Sequence, residues 1–141
     1  MFAFFKRNII HQCNGIEIHP SLIHGLGVFA KKKFKNGSTI ENAPLILLPE
    51  KERDLLKTTV LFNYYFFVEG HENIVALGLG YSSIYNHASN ANAVYTILLN
   101  QKKLIIKASK DIYPGDEITL NYNGDPNDTS LTYFEQNPVL P

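Results

Sequence analysis

Short strand-like runs, separated by turn residues, dominate this sequence and restrict what it can fold into. Residues 15–20 alternate apolar and polar side chains and stop at a proline, as a strand does. Residues 93–99 and 104–108 flank the polar segment 100–103, which predicts a β-hairpin. Residues 117–122 follow a Pro-Gly turn and predict a final strand. The spacing of these runs therefore predicts a mostly-β domain.

Two further regions complete the predicted layout. Residues 38–48 are typical of one or two strands, and residues 49–57 are the best helix candidate. Residues 61–68 are aromatic and strand-like, and we expect their rings to lie in the core or in a subunit interface rather than in a binding cage. From residue 123 onward the chain is polar and rich in proline.

Composition excludes several classes of function. The 141 residues fit one domain, and 13 basic side chains balance 13 acidic ones. A domain-wide basic surface is therefore absent, so we expect no direct nucleic-acid partner, and the lysine-rich segment 31–35 is interpreted as a solvated loop. The single cysteine, Cys13, allows neither an intramolecular disulfide nor a Cys-cluster zinc site. The histidines show no ligand spacing, so no metal is expected.

The first residues do not follow the secretory pattern, because Lys6 and Arg7 come after a short apolar run instead of before a longer one. No stretch approaches the roughly 18 apolar residues of a membrane span. We therefore expect a cytoplasmic protein without a membrane partner.

Residues 85–93 combine side-chain amides and an imidazole with small residues. Asn86 and His87 stand at the start of this segment, between a Gly-rich run and a β-branched one. A segment that bends tightly and also holds a polar ligand needs this mixture. The alternative is a turn with a satisfied histidine, and the segment alone does not decide between them.

Two other segments carry side chains suited to a site. In residues 24–30, Gly25 and Gly27 allow the backbone to approach a ligand closely, although the spacing matches neither the dinucleotide nor the P-loop fingerprint. In residues 114–122, a period of two places Ile118, Leu120 and Tyr122 on one apolar face. Tyr122 then offers its hydroxyl as a polar handle.

In this order, the three segments resemble the SET-domain family of S-adenosylmethionine-dependent protein lysine methyltransferases. That family's pattern is G-x-G-V-F-A, then N-H-S-x-x-P-N, then G-D/E-E-L-T-x-D-Y. The resemblance covers about residues 16–122 and implies one SET domain over residues 1–141. It implies a β-clip fold with several small sheets, short helices and a knot-like C-terminal crossing. The tail, residues 123–141, would close a lysine channel.

The resemblance also implies roles for individual residues. Tyr122 matches the active-site tyrosine, and the expected cofactor is S-adenosyl-L-methionine. The residues expected to bind the cofactor are Gly25, Leu26, Gly27, Tyr81, Asn86, His87, Tyr122 and Phe134. The residues expected to line the substrate channel are Tyr81, Tyr95, Leu120 and Tyr133.

The sequence departs from the family pattern in four places. Ala88 replaces the usual Ser, Ala91 replaces the usual Pro, and Leu120 stands where many members carry Phe or Tyr. The family ties that last position to the number of methyl groups added. The Cys-rich zinc-binding tail of many nuclear members is absent, as in short, minimal members of the bacterial or viral kind.

The implied partner is a protein substrate that carries a lysine, histone-like or other, and a homodimer is left open. A bacterial or viral source would also leave open secretion into a host or a host nucleus. The alternative function is a catalytically weak or inactive SET-like module that binds proteins. Ala88 and Ala91 favour that alternative, whereas Asn86, His87 and Tyr122 favour the enzyme.

Overall fold

Nine short strands form the framework of residues 14–136, the part of the chain that the computed structural model describes. Strands make up 40% and helices 13%, which confirms the mostly-β prediction. The strands are β1 Ile16–Pro20, β2 Leu26–Ala30, β3 Thr39–Pro49, β4 Tyr65–Phe67, β5 Ile74–Gly78, β6 Asn86–His87, β7 Ala93–Leu98, β8 Lys103–Ala108 and β9 Glu117–Leu120.

Helices are short and lie at the edges of this framework. Helix α1 (Glu50–Leu56) confirms the helix predicted there, and acidic side chains in its first turn favour its N-terminus. Helix α2 is Tyr133–Gln136, and 3-10 helices cover Val60–Asn63 and Leu99–Gln101.

The predicted aromatic strand at residues 61–68 is a strand only in its second half. The hydroxyl of Thr59 accepts a hydrogen bond of 3.3 Å from the N–H of Leu61 and starts the 3-10 helix. Because that turn occupies the first half, β4 is only three residues long. Thr59, two residues before Leu61, was the sequence signal for this turn, because a threonine hydroxyl often caps the start of a helix.

The strands follow the order β1-β2-β9-β7-β8-β3-β5-β4, and β6 pairs with β9. The 11 residues of β3 pair with β8 in their first half and with β5 in their second half, so this strand joins two small sheets. The predicted hairpin is confirmed, because β7 and β8 pair antiparallel from Ala93 opposite Ala108 to Leu98 opposite Lys103.

The last strand, β9, is inserted between strands that precede it in the chain. It pairs antiparallel with β2 through Val28 and Ile118. On its other side it pairs in parallel with β6, where Asn86 lies opposite Thr119, and with the start of β7. This insertion is the knot-like crossing of the β-clip, and it brings the three motif segments side by side.

The core is apolar and lies along these central strands. Ile118 and Leu120 are fully buried, as the period of two predicted. Tyr122 differs from that prediction, because β9 ends at Leu120 and the tyrosine is 39% exposed beyond it. No helix within residues 14–136 is long and apolar enough to span a membrane. The same residues contain no group of three or more His, Cys, Asp or Glu side chains that could hold a metal ion.

Candidate active site

One buried side chain, Asn86, ties the three motif segments together. Its Nδ2 donates to the carbonyl oxygens of His24 at 3.0 Å and Leu26 at 3.1 Å in the glycine segment. It also donates to Oε1 of Glu117 on β9 at 2.8 Å. Since a buried amide must find partners, these bonds fix how the glycine segment, the polar turn and β9 lie relative to one another.

Glu117 is a second anchor of the glycine segment. The hydroxyl of Ser21 lies 2.9 Å and 2.8 Å from the two carboxylate oxygens, to which it donates. A Cβ added to Gly27 would overlap this carboxylate. The backbone of Gly27 lies directly against Glu117, which leaves no room for a side chain. From the sequence, this glycine was interpreted only as a place where the backbone can approach a ligand.

The polar turn is hydrogen-bonded to β9 around Ala88 and Ala91, the two positions where it departs from the family pattern. The side chain of Asn92 donates to the carbonyl of Glu117 and accepts from the N–H of Thr119, both at 2.9 Å. The N–H of Ala88 donates to the carbonyl of Leu120 at 3.1 Å. Ala91 is buried, so its methyl group packs in the turn.

His87 faces Tyr122, the residue expected to be the active-site tyrosine. The N–H of Tyr122 donates to Nδ1 of His87 at 3.1 Å, and the two rings lie 5.2 Å apart between centroids. Because Nδ1 accepts, the neutral imidazole carries its proton on Nε2. That nitrogen lies 3.9 Å from Oε2 of Glu135 in α2.

The phenol of Tyr122 is fixed as a hydrogen-bond donor. Its hydroxyl donates to the carbonyl oxygen of Tyr85 at 2.7 Å. Burial, followed by the nearby Tyr64 and Glu117, raises the pKa of Tyr122 to about 12. The backbone of Tyr122 is open to solvent, but its hydroxyl is enclosed, and the phenol stays protonated at neutral pH.

Beside Tyr122 lies a cavity of about 210 Å³ with mostly aromatic walls. The rings of Phe66 and Tyr95 pack 5.1 Å apart between centroids. Burial, followed by the charge of Glu69, raises the pKa of Tyr95. The residues that line the cavity are Phe62, Asn63, Tyr64, Tyr65, Phe66, Phe67, Tyr85, Tyr95, Tyr122, Asn123 and Thr132.

Of the residues predicted for the substrate channel, Tyr95 lines this cavity. Leu120 is fully buried in the core and is not among the lining residues. Tyr81 packs against the core, and its N–H donates to Glu41 at 2.9 Å. The side chains of Tyr133 and Phe134 lie outside the described residues.

The predicted cofactor residues fall into two sets. Gly25, Leu26 and Gly27 adjoin Asn86 through the bonds already described, and His87 and Tyr122 continue from it. Tyr81 lies apart from this set, on the Glu41 side of the polar turn. These assignments remain predictions.

The aromatic run at residues 64–67 was expected to be core or interface, and the structure places it in the cavity wall. Phe67 is 68% exposed, whereas Phe66 is half-buried and packs against the core. The signal that could have shown this was the unbroken aromatic run itself. A β4 strand that packed one face into the core would alternate aromatic with polar residues.

A capping box starts the tail helix next to the cavity. Oε2 of Glu135 accepts from the N–H of Thr132 at 2.7 Å and from its hydroxyl at 2.8 Å, and the N–H of Glu135 donates back to that hydroxyl at 3.3 Å. These bonds, with a smaller effect from His87, lower the pKa of Glu135. The spacing T-x-x-E is a known helix-start signal, so the sequence alone could have shown this contact.

Comparison with known proteins identifies the family. Residues 25–123 match the SET domain model, which covers more than half of the chain. The chain therefore belongs to the SET-domain family. A comparison with curated proteins gave no match.

Solved structures with the same fold include methyltransferases. A candidate histone methyltransferase of Plasmodium falciparum is 32% identical, with a TM-score of 0.63 over 77% of this chain and 92% of that one. Polycomb repressive complex 2 of Chaetomium thermophilum is 25% identical, with a TM-score of 0.65 over 78% of this chain and 15% of that one. An autoinhibited form of that complex, bound to S-adenosylmethionine, matches in fold at 24% identity and TM-score 0.65, over 80% of this chain and 16% of that one.

Proposed function

We propose that this protein transfers a methyl group from S-adenosyl-L-methionine to a lysine side chain of a protein substrate. One observation carries the proposal: Tyr122 belongs to two neighbouring features. Its backbone and ring adjoin His87 of the polar turn, while its side chain lines the aromatic cavity. A residue placed there can act where a cofactor and a substrate amine meet.

The residues around the glycine segment suit the proposed cofactor. Asn86 and Glu117 hold residues 24–27 in place, and Gly27 keeps the backbone free of a side chain there. The exposed side chain of Leu26 offers apolar surface beside the backbone of this segment. S-adenosyl-L-methionine combines an amino acid with an adenosine. A site for it needs backbone donors and acceptors next to apolar surface. When bound, the cofactor supplies an electrophilic methyl group on a positively charged sulfur.

The aromatic cavity suits a lysine side chain. A lysine ammonium has no free electron pair, so it must lose a proton before it can attack. With an ordinary pKa near 10.4, that loss costs roughly 4.6 kcal/mol at pH 7. The faces of Tyr64, Tyr95 and Phe66 attract the cation as it enters. Burial in the same apolar walls then favours the neutral amine.

Tyr122 positions the amine instead of removing its proton. Its pKa of about 12 makes the phenol a poor base at neutral pH. Its hydroxyl donates to the carbonyl of Tyr85, which fixes the phenol at the cavity wall. We infer that the phenol oxygen, fixed in this way, orients the attacking amine, and that this alignment supplies most of the rate.

The tail contributes to the same site in this proposal. Thr132 lines the cavity, and Glu135 approaches His87 from α2. We infer that residues 131–136 close one side of the lysine channel, where longer family members use a zinc-bound tail. The identity of the substrate protein is left to experiment.

The test begins with isothermal titration calorimetry of S-adenosyl-L-methionine against the purified protein. Transfer of labelled methyl groups to a lysine-rich protein mixture follows. Tyr122→Phe should bind the cofactor with little change and lose about a hundredfold in kcat. Tyr113→Phe is the matched control, because Tyr113 is exposed on the β8–β9 connection and lies over Lys33, away from the cavity.

The outcomes separate the two functions that the sequence left open. Cofactor binding together with methyl transfer that Tyr122→Phe slows about a hundredfold supports the enzyme. A protein that binds no cofactor would fit the inactive protein-binding module instead, and the proposal would then be wrong. Methyl transfer that survives in Tyr122→Phe would assign the chemistry to other residues.

A further inference from the structure

The buried carboxylate of Glu41 is linked through Tyr85 to Tyr122 and has no part in the proposed chemistry. Glu41, on β3, is 3% exposed. Its Oε1 accepts from the N–H of Tyr81 and its Oε2 accepts from the hydroxyl of Tyr85, both at 2.9 Å. Burying a carboxylate costs free energy unless hydrogen-bond donors compensate it. Glu41 is therefore a candidate for a role other than packing.

The chain leaves room for this carboxylate at a second point. Gly80 has a φ of +73°, and a Cβ placed there would lie 2.7 Å from Oε1 of Glu41. A side chain at position 80 is thus disfavoured both by the left-handed backbone and by the carboxylate. Glu41 thus contacts the segment that leads into the polar turn at Gly80, Tyr81 and Tyr85.

Tyr85 connects Glu41 to the active-site tyrosine. Its side-chain hydroxyl donates to Glu41, while its carbonyl oxygen accepts the hydroxyl of Tyr122 at 2.7 Å. Tyr85 is itself buried, so its side chain and its carbonyl move together. The place of the side chain against Glu41 therefore sets the direction of the carbonyl that holds Tyr122.

We propose that Glu41 is a positioning residue for Tyr122 and that it acts through Tyr85. The effect of Glu41 on catalysis rests on the proposed methyl transfer. The effect of Glu41 on the position of the Tyr122 phenol does not. The hydroxyl of Tyr85 bonds to Glu41 and its carbonyl oxygen bonds to Tyr122, so Tyr85 links the carboxylate to the phenol.

The carboxylate is chemically matched to this task. It presents two acceptor oxygens to two donors, the Tyr81 N–H and the Tyr85 hydroxyl. Glutamine of the same shape has one acceptor oxygen and one NH₂ group. The backbone N–H cannot reverse its direction, so the amide oxygen must serve Tyr81 and the NH₂ group must face Tyr85. The Tyr85 hydroxyl would then accept from that NH₂ group instead of donating to a carboxylate, so Glu41→Gln replaces a charge-assisted hydrogen bond by a weaker neutral one with little change in volume.

The first measurement follows the Tyr122 phenol directly by NMR, with tyrosine labelled with ¹³C at Cζ. Tyr122→Phe assigns the resonance. Tyr85→Phe and Glu41→Gln should both shift the Tyr122 signal, because the carbonyl that accepts its hydroxyl moves. Tyr113→Phe, an exposed tyrosine elsewhere, should leave it unchanged. Ile106→Val, a core truncation at a fully buried position, controls for loss of stability alone.

The second measurement is kinetic. Tyr85→Phe and Glu41→Gln should each lower kcat by about tenfold, because the misplaced phenol no longer aligns the amine. The KM for the cofactor should stay within about twofold, since Asn86 and the glycine segment are untouched. In the Tyr85→Phe background, Glu41→Gln should cost nothing further, because the two residues act in series.

The outcomes distinguish this inference from the proposed function. An unchanged Tyr122 resonance in both variants overturns the coupling, whether or not methyl transfer is detected. If the Tyr122 resonance shifts in these variants but the natural protein transfers no methyl group, the link between Glu41 and Tyr122 is supported and the proposed function is wrong. If Glu41→Gln fails to fold, Tyr85→Phe decides alone, because it retains the carboxylate and removes only one hydroxyl.

Discussion

The side-chain amide of Asn86 lies 2.8 Å from the carboxylate of Glu117, so two motif segments 31 residues apart meet in one hydrogen bond. The same amide reaches the carbonyls of the glycine segment. Asn86 is 6% exposed, so in this arrangement its side chain serves the framework of the site.

Replacing Gly27 with alanine should damage this framework. The added Cβ would overlap the Glu117 carboxylate and push it away from Asn86 and Ser21. Overpacking of this kind costs about 1–3 kcal/mol of the free energy of unfolding. We expect the affinity for S-adenosyl-L-methionine to fall at least about tenfold by calorimetry, since about 1.4 kcal/mol of lost binding suffices.

Gly37→Ala is the control for Gly27→Ala. Gly37 has a φ of +83° and nothing within 4 Å of an added Cβ, so this variant carries backbone strain without a clash. It should lose about 1 kcal/mol of stability and bind the cofactor normally. Equal losses of cofactor affinity in the two variants would show that the contact between Gly27 and Glu117 has no special effect.

The ionisation of Tyr122 should weaken the fold at high pH. The folded protein keeps this phenol protonated up to a pKa of about 12, whereas an unfolded tyrosine releases its proton near pH 10. The folded state therefore binds more protons between these values, and stability present below pH 10 is lost as pH rises towards 12. Two pKa units correspond to roughly 2.7 kcal/mol, which solvent screening of the partly exposed residue reduces to about 1 kcal/mol.

Urea unfolding at pH values from about 9 to 12 measures this effect. Tyr122→Phe should lose less stability across the range than the natural protein does. Tyr113→Phe should follow the natural protein, because Tyr113 is exposed. Parallel pH curves for Tyr122→Phe and the natural protein would contradict a raised Tyr122 pKa.

The sequence predicted those parts of the structure that depend on local patterns. The hairpin around residues 100–103 followed from its flanking β-branched runs, and the helix after Pro49 followed from its acidic start. The expectation that Leu26 and Asn86 serve one site came from the order of three motifs in a known family, and it did not include Glu117. No period or propensity predicts the insertion of β9 between β2 and β6, because strand pairing over such distances leaves no local signal.

The sequence did not predict the contacts that complete the site. Glu41 pairs with Tyr85 across 44 residues, and nothing near Glu41 in the chain marks it as buried. The end of β9 before Tyr122 was hidden by an alternation that continues beyond the strand. Tyr64 and Phe67 lie in a cavity wall, next to a 3-10 helix that the Thr59 hydroxyl caps and that the strand pattern did not predict.

The aromatic wall of the cavity should determine how tightly a lysine substrate binds. Tyr64 lies in this wall and is partly exposed, so truncating it costs little core packing. Loss of one aromatic face removes about 0.5–2 kcal/mol of cation attraction. Tyr64→Ala should therefore raise the KM for a lysine peptide several-fold, while calorimetry shows unchanged binding of S-adenosyl-L-methionine.

Tyr113→Ala is the control for this prediction, because it removes an exposed aromatic ring that lies 4.7 Å from the Nζ of Lys33, outside the cavity. The KM for the peptide should not change in that variant. If Tyr64→Ala leaves the KM unchanged as well, the lysine enters elsewhere and the cavity is not its channel.

The capping box of α2 should hold the tail against the cavity. Thr132→Val keeps the shape of the side chain and removes the hydroxyl that Glu135 contacts in both directions. Loss of such a cap costs about 1 kcal/mol, so amide hydrogen exchange at residues 133–136 should accelerate about fivefold. If the tail closes the channel, the KM for a lysine peptide should rise in the same variant.

Acid should have a similar effect on the natural protein. The lowered pKa of Glu135 means that its contribution is present above the ordinary glutamate pKa and is lost as pH falls through the lowered value. Exchange at residues 133–136 should therefore accelerate in that acidic range, and Thr132→Val should show a weaker pH dependence. Thr129→Val, at an exposed position on the same tail, is the matched control. Exchange that is equally slow in Thr132→Val and Thr129→Val would show that packing, and not the capping box, holds α2 in place.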